Sequence, residues 1–271
     1  MALFMDQLLA RRLERAEGAV GTTFTAVRQR FTPEVDATWQ ELDGTYAIFD
    51  GVGSPFTQSF GLGLFAPVTH ASLARLEAFF EDRGAPAVHE VSPLAGIATF
   101  GLLVERGYQP VELGSVLVQA LDNRAPSPST TLRARRLEDR EHAAWIDAST
   151  KGWSDEPGME AIVRSIAEAA ARNQAMAHFL VERDGVMIAT GSMGIHEGVA
   201  LLAGASTIPA GRGMGAQGVL LAARLDEAHR RGCEVAMMVA TPGSTSQRNA
   251  ERRGFQVAYT RTKWQRSPAL H

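Results

Sequence analysis

Apolar residues recur at helical and strand spacings along most of the chain, and in two stretches they do so in the same order. In the first half, Leu73, Leu76 and Phe80 mark one face of a helix that stops at Arg83-Gly84. Val88 to Val91 then reads as a strand, a second helix follows Pro93 as far as Arg106-Gly107-Tyr108, and a closing strand includes Ser115 to Leu121. In the second half, Val219, Leu220, Ala223 and Ala228 mark a helix that stops at Arg231-Gly232. A strand over Val235 to Ala240, Pro242, a helix to Arg253-Gly254-Phe255 and a closing strand follow. Gly84 and Gly107 are 23 positions apart, Gly232 and Gly254 22. Each arginine-glycine pair has a local reason: glycine takes the left-handed conformation past a helix end, and the arginine faces the negative end of the dipole. Matched order and spacing predict a duplicated unit of helix, strand, helix, strand.

Upstream of the second copy, the pattern predicts a strand over Thr131 to Leu137, helices over Glu138 to Ser149 and Met159 to Arg172, and strands near Ala177 to Glu182, Val186 to Gly194 and Val199 to Ser206. Arg183-Asp184-Gly185 suits a hairpin turn. Two prolines among small polar residues from Asp122 to Ser129 interrupt the apolar pattern and read as a linker. The expected organisation is therefore a domain over 1–122, a linker over 123–129 and a domain over 130–271, each a mixed-sheet α/β (α+β) unit. At the N-terminus, Met5, Leu8, Leu9, Leu13 and Ala16 fall on one stripe among Asp6, Arg11, Arg12, Glu14 and Arg15, which predicts an amphipathic helix over Met1 to Gly18.

Composition narrows the class. Of 271 residues, 45% are hydrophobic and 21% charged, enough apolar surface to build cores and too much for a disordered chain. The formal charge of −3 gives no electrostatic reason to expect nucleic acid or an anionic membrane as partner. Arg133, Arg135 and Arg136 read as a solvated strand face. No stretch approaches the roughly 18 apolar residues of a membrane span. The single cysteine, Cys233, allows neither an internal disulfide nor a cysteine zinc cluster and lies beside a helix end as an inert thiol, so a reducing cytoplasm is the expected compartment.

The stretch that carries chemistry runs from Val199 to Arg231. An apolar strand leads into Pro209, then Gly211, Gly213 and Gly215 at alternate positions, then a helix. Alternating glycines remove the Cβ atoms that would keep an anion off the backbone, and a helix start supplies free N–H groups and the positive dipole end, so a phosphate or pyrophosphate is the natural ligand. A Walker loop is excluded because Ala216 and Gln217 stand where it needs lysine and a hydroxyl residue. Gly213-Met214-Gly215-Ala216-Gln217-Gly218 matches the glycine spacing of a dinucleotide-binding turn, with Glu234 about 20 residues on. Glu234, however, begins the following strand, whereas a ribose-binding acid belongs at its end.

These residues resemble the signature of the GNAT superfamily of N-acetyltransferases: a strand, often a proline, Arg/Gln-x-x-Gly-x-Gly/Ala opening a long helix, then a strand, a short helix and a Gly-Phe pair. Ala210-Gly211-Arg212-Gly213-Met214-Gly215 matches the loop, Ser246 to Phe255 the later segment, and the resemblance covers about Thr131 to Trp264. It implies acetyl-CoA as cofactor, with its pyrophosphate on Gly211, Arg212, Gly213, Met214, Gly215 and Ala216, its pantetheine along Ser206, Thr207 and Ile208, and its arm near Ser246 and Asn249. Ala210 replaces the family's arginine or glutamine, and Ala250 stands where a tyrosine commonly protonates the departing thiolate. The first half resembles the same fold without its signature, because Phe65-Ala66-Pro67-Val68-Thr69 separates Gly61-Leu62-Gly63 from the helix. The resemblance thus implies a tandem protein with a cofactor-free first copy, as in some two-unit members.

His196 and Glu197, between the two strands that lead to the loop, are candidates for a general base that takes a proton from an ammonium. Asp155 and Glu156 are candidates for meeting a cationic acceptor. The expected activity is transfer of an acetyl group to the amine of a small molecule or peptide. A non-catalytic acyl-CoA sensor is the alternative, and a homodimer is left open.

Overall fold

The computed structural model describes residues 3–122, 131–153, 158 and 160–266. The predicted linker, Asp155 and Glu156 lie outside them. In the first half the elements are α1 (Gln7–Phe31), β1 (Thr38–Leu42), β2 (Thr45–Phe49), β3 (Gln58–Phe60), α2 (His70–Glu81), β4 (Val88–Val91), α3 (Ile97–Glu105) and β5 (Tyr108–Ala120). In the second half they are β6 (Arg133–Arg136), α4 (His142–Trp153), α5 (Glu160–Arg172), β7 (Ala177–Arg183), β8 (Val186–His196), β9 (Val199–Thr207), α6 (Ala216–Arg230), β10 (Val235–Ala240), α7 (Thr245–Glu251) and β11 (Gln256–Arg266). The expected mixed α/β architecture is what the chain adopts. Both halves end in helix, strand, helix, strand, as the repeated spacing predicts.

Two compact units form. Among the described residues, one comprises 118–122, 131–153, 158, 160–238 and 248–256; the other comprises 3–117, 239–247 and 257–266. They are not the two halves on either side of the predicted linker, because the closing strands change company. Strand β11 pairs antiparallel with β4, with Thr262 opposite Val91 and Trp264 opposite His89. The end of β5 belongs with the second-half residues, where Gln119 Nε2 donates to the carbonyl of Arg253 at 2.9 Å and the Leu121 N–H donates to that of Glu234 at 3.0 Å. Hydrophobic periodicity identifies a strand but says nothing of its partner, which is why this exchange was not legible in the sequence.

In the unit that contains α1, β1, β2 and β3 form an antiparallel meander, and β3 runs parallel to β4. Leu73, Leu76 and Phe80 of α2 pack with Phe49, Leu103 and Trp264 in the core beside them. Helix α1 begins where Asp6 accepts from the Leu9 N–H at 2.8 Å and continues well past Gly18. Its stripe differs in part from the expected one. Leu9, Leu13 and Ala16 are buried, but Leu8 is 67% exposed and the buried position beside Leu13 goes to Glu14.

Glu14 is drawn inside by β11. The Arg261 guanidinium is buried among the carboxylates of Glu14 at 3.5 Å, Glu17 at 2.6 Å and Glu90 at 3.0 Å, and the Tyr259 hydroxyl donates to Glu14 at 2.7 Å. Three carboxylates face Arg261, while Lys263 Nζ lies 3.4 Å from Glu90 and 2.6 Å from Glu112. Burial, opposed by Arg261 and reinforced by the like charges of Glu17 and Glu90, pushes the Glu14 carboxyl up to about 7. A raised folded-state value favours the protonated form, so this contribution to stability is present below the ordinary carboxylate range and is lost as pH rises through about 7. Glu14→Gln keeps an acceptor for Tyr259 and removes the titration. Its melting temperature relative to the wild type should therefore be higher near pH 8.5 than near pH 5.5; equal differences at the two pH values would refute the assignment.

Candidate functional site: the glycine loop and the splayed strand β9

Strands β7, β8 and β9 form antiparallel ladders, and β10 lies parallel to β9. That parallel ladder is short. It pairs Val235 with Val199, Ala236 with Ala200 and Met237 with Leu201. Beyond Leu201, β9 continues to Thr207 with only β8 as ladder partner among the described residues of this unit. The cause is a bulge. Thr190 faces Ser206 and Ser192 faces Ala203, so Gly204 and Ala205 together oppose Gly191. Gly204 takes a φ of +60°, which favours glycine. The far end of β9 thus presents a backbone edge that β10 does not cover. Ile208 donates its N–H to the Ile188 carbonyl on β8 at 3.0 Å, and alternation along the strand directs the Thr207 N–H the other way.

Pro209–Gly211 make a tight turn after β9, and α6 starts at Ala216 with Gly215 as its cap. The three glycines serve different ends. At Gly211 a Cβ would lie 2.8 Å from the Cβ of Ile188, so this glycine lets the turn press onto β8. Gly213 and Gly215 have φ of +76° and +81°, and a Cβ at either would meet nothing within 4 Å. Among the described residues, the N–H groups of Gly213, Met214, Gly215, Ala216 and Gln217 donate to no backbone carbonyl. With no acidic residue in its first turn, α6 offers these donors at its positive end. Gln217 Nε2 donates to the Thr207 hydroxyl at 2.8 Å and ties the helix start to the strand end.

The predicted cofactor contacts fall into two groups. Gly211 to Gly215 form one continuous turn that leads into α6 at Ala216, and the open backbone belongs to its later part. Ser206 differs: its side chain is buried, 3.0 Å from the Thr190 hydroxyl and 3.4 Å from the Ser149 carbonyl, so its hydroxyl is engaged inside the fold. Gly152 of α4 packs there so closely that a Cβ would lie 2.4 Å from Ser206 Oγ. Ser246 is exposed and Asn249 half-buried on successive turns of α7, but only Asn249 belongs to the unit that holds the loop.

His196 and Glu197 are not brought to the loop. They sit in the β8–β9 turn, where Glu197 and Gly198 have φ of +44° and +76°, a two-residue hairpin turn of the primed type. The length of β9, about 25 Å at strand rise, separates that turn from Thr207. The two side chains lie 3.9 Å from each other. Proximity in sequence misled here, because an extended strand carries its ends far apart.

Sequence reasoning missed the groups behind the bulge. His178 on β7 is buried and burial lowers its imidazole to about 4, so it is neutral. Its Nε2 donates to the Asn173 carbonyl at 3.2 Å, which leaves Nδ1 to accept from Ser192 at 2.9 Å. Arg224 of α6 is buried with no carboxylate partner among the described residues, its NH1 3.4 Å from the Ser192 carbonyl. Burial lowers its guanidinium to about 10, which still keeps it charged at neutral pH. Gly204 within an apolar strand was the available signal for the bulge.

The corresponding connection in the first half is built differently. A Cβ at Gly61 would lie 2.8 Å from the Phe65 ring, and one at Gly63 would lie 2.8 Å from Thr99 Oγ1. Thr69 and Ser72 close a reciprocal capping box over the start of α2.

Comparison with solved structures identifies the fold. The chain has the fold of a GCN5-related N-acetyltransferase from Kribbella flavida at TM-score 0.68, with 17% identity and 96% of each chain covered. It is similar to a tandem GNAT protein from the clavulanic acid biosynthesis pathway at 0.58, with 13% identity and 98% of each covered. A GCN5-related N-acetyltransferase from Sphaerobacter thermophilus matches at 0.57 and 16% identity over 77% of this chain and 71% of that one. No family model and no curated protein matches the sequence. The fold is thus that of tandem GNAT proteins.

Gly211→Ala tests the packing role of the first glycine. It should lower the stability of the protein by about 1–3 kcal/mol, because the added methyl overpacks against Ile188. A denaturant midpoint equal to that of the wild type would refute this.

Proposed function

We propose that this chain is a CoA-dependent N-acyltransferase that uses acetyl-CoA and passes the acetyl group to an amine of a small molecule or peptide. The observation that carries the reading is the run of amides from Gly213 to Gln217 that donate to no backbone carbonyl among the described residues, opening α6 directly after a strand that has parted from its neighbour. A bound acetyl-CoA would supply an activated thioester carbonyl, and the residues present suit it: open space at Gly213 and Gly215 and the N–H donors of a helix start match a pyrophosphate. Gly213 to Gln217 would hold the phosphates. Thr207 and the uncovered edge of β9 would bind the amide groups of the pantetheine in the manner of an added strand. A backbone N–H at the Gly204–Ala205 bulge would orient and polarise the reacting carbonyl. In the balanced reaction a neutral amine forms the C–N bond, the C–S bond breaks, and the proton lost by the amine ends on the thiol. With a thiol of ordinary value about 8.5 as leaving group, the chain needs no tyrosine to protonate it.

The first half, in this reading, is a cofactor-free copy: its glycines are packed under its own side chains and its helix start is capped by its own hydroxyls. Calorimetric titration of the full chain with acetyl-CoA should give one site per chain. Gly213→Val should abolish most of that affinity while the protein remains folded, since its side chain would enter the space left for phosphate. Unchanged affinity, or two equivalents bound, would refute the respective assignment.

A second reading, an acyl-CoA sensor without turnover, is favoured by a specific observation. Ala250 is fully buried where the family's tyrosine stands, and the hydroxyl of Tyr259 is committed to Glu14. A thiol-release assay with acetyl-CoA and a panel of amines separates the two. If turnover is found, Tyr259→Phe should leave the rate constant within about tenfold of the wild type; a thousandfold loss would place the missing acid there.

A further inference from the structure

An arginine outside the glycine loop reaches over to it. Arg183 ends β7 at the hairpin that leads into β8, and its NH1 lies 2.8 Å from the sulfur of Met214 in the middle of the loop. A thioether is a weak acceptor, so this contact positions the guanidinium without satisfying it. The other neighbour of Arg183 is the carboxylate of Asp184, 3.4 Å from Nε and itself 88% exposed. Half of the Arg183 side chain is open to solvent. Arg212, in the loop itself, has Nε 3.4 Å from the Thr207 carbonyl and NH2 3.5 Å from the Gly152 carbonyl. A planar cationic fork therefore stands against Met214, within the run of amides that donate to no backbone carbonyl among the described residues.

We propose that Arg183 is a specificity-determining residue that recognises the 3′-phosphate of coenzyme A. The inference rests on the acyl-CoA reading above and deepens it. That ligand carries three phosphoryl groups, and the two of the pyrophosphate are suited to the backbone donors of Gly213 to Gln217, which are neutral and close to the main chain. The third is a monoester dianion on the ribose, set off from the pyrophosphate, and a guanidinium matches it better than an amide because paired charged hydrogen bonds are the stronger ones. Arg183 is the side chain that the fold places against the loop's outer residue. Its neighbour Asp184 lowers the attraction but lies out in water, where its charge is screened.

Calorimetry of the full chain with coenzyme A and with 3′-dephospho-coenzyme A tests this, in the wild type, Arg183→Ala and Arg183→Lys. The wild type should prefer coenzyme A by about tenfold or more. Arg183→Ala should lose that preference by weakening coenzyme A about tenfold while leaving dephospho-coenzyme A within about twofold, and Arg183→Lys should fall between. Equal affinities of the wild type for the two ligands would overturn the proposal without any variant. So would an Arg183→Ala protein that weakens both ligands alike, which would move the contact to the pyrophosphate, or one that keeps the wild-type ratio. A wild type that binds neither ligand would overturn the acyl-CoA reading itself, and this inference with it.

Discussion

The unit that contains α1 depends on how the chain keeps the Arg261 guanidinium charged inside it. Arg261 on β11 is buried among Glu14, Glu17 and Glu90, drawn from α1 and β4. An arginine left alone there would carry an uncompensated buried charge, a loss of about 3–5 kcal/mol when a buried pair is broken by removing one partner. With its partners it fixes register, because a slip of β11 by one residue would turn Arg261 to the opposite face. The closing strand of the second half is thereby held against β4, and the unit that contains α1 is complete only with β11 in place.

The same separation of a strand from its sequence neighbours creates the candidate site. Strand β9 starts in a parallel ladder with β10 and leaves it after three pairs, because the two-residue bulge at Gly204 and Ala205 bends it away. Leaving a ladder exposes backbone donors, which is costly in a folded protein unless something else uses them. Pro209 and the glycine turn then place at the head of α6 five more amides that donate to no backbone carbonyl among the described residues. Behind the bulge, Gly191 lets α6 approach so closely that a Cβ there would lie 3.3 Å from the Arg224 guanidinium. Support from below and open backbone above are what a phosphate-bearing thioester requires of its binding site.

Much of this is legible in the sequence itself. The paired Arg-Gly signals placed α2, α3, α6 and α7, because a helix end needs a left-handed residue and this need is local. The strand over Val88–Val91 and that over Val235–Ala240 were readable from their apolar runs, and Gly211, Gly213 and Gly215 from their alternation ahead of a helix. Local rules of this kind depend on neighbours along the chain. The structure alone decided which strand lies beside which, that Glu14 goes inside while Leu8 stays out, and that His196 and Glu197 sit a strand's length from the loop they precede. It also decided that Ser206 turns its hydroxyl inward and that Arg183 reaches Met214. These are contacts between residues far apart in sequence or at opposite ends of an extended element. Hydrophobic period and turn chemistry specify the elements, but the energy that pairs them comes from burial, ladder hydrogen bonds and compensated charge, which arise only once distant segments meet.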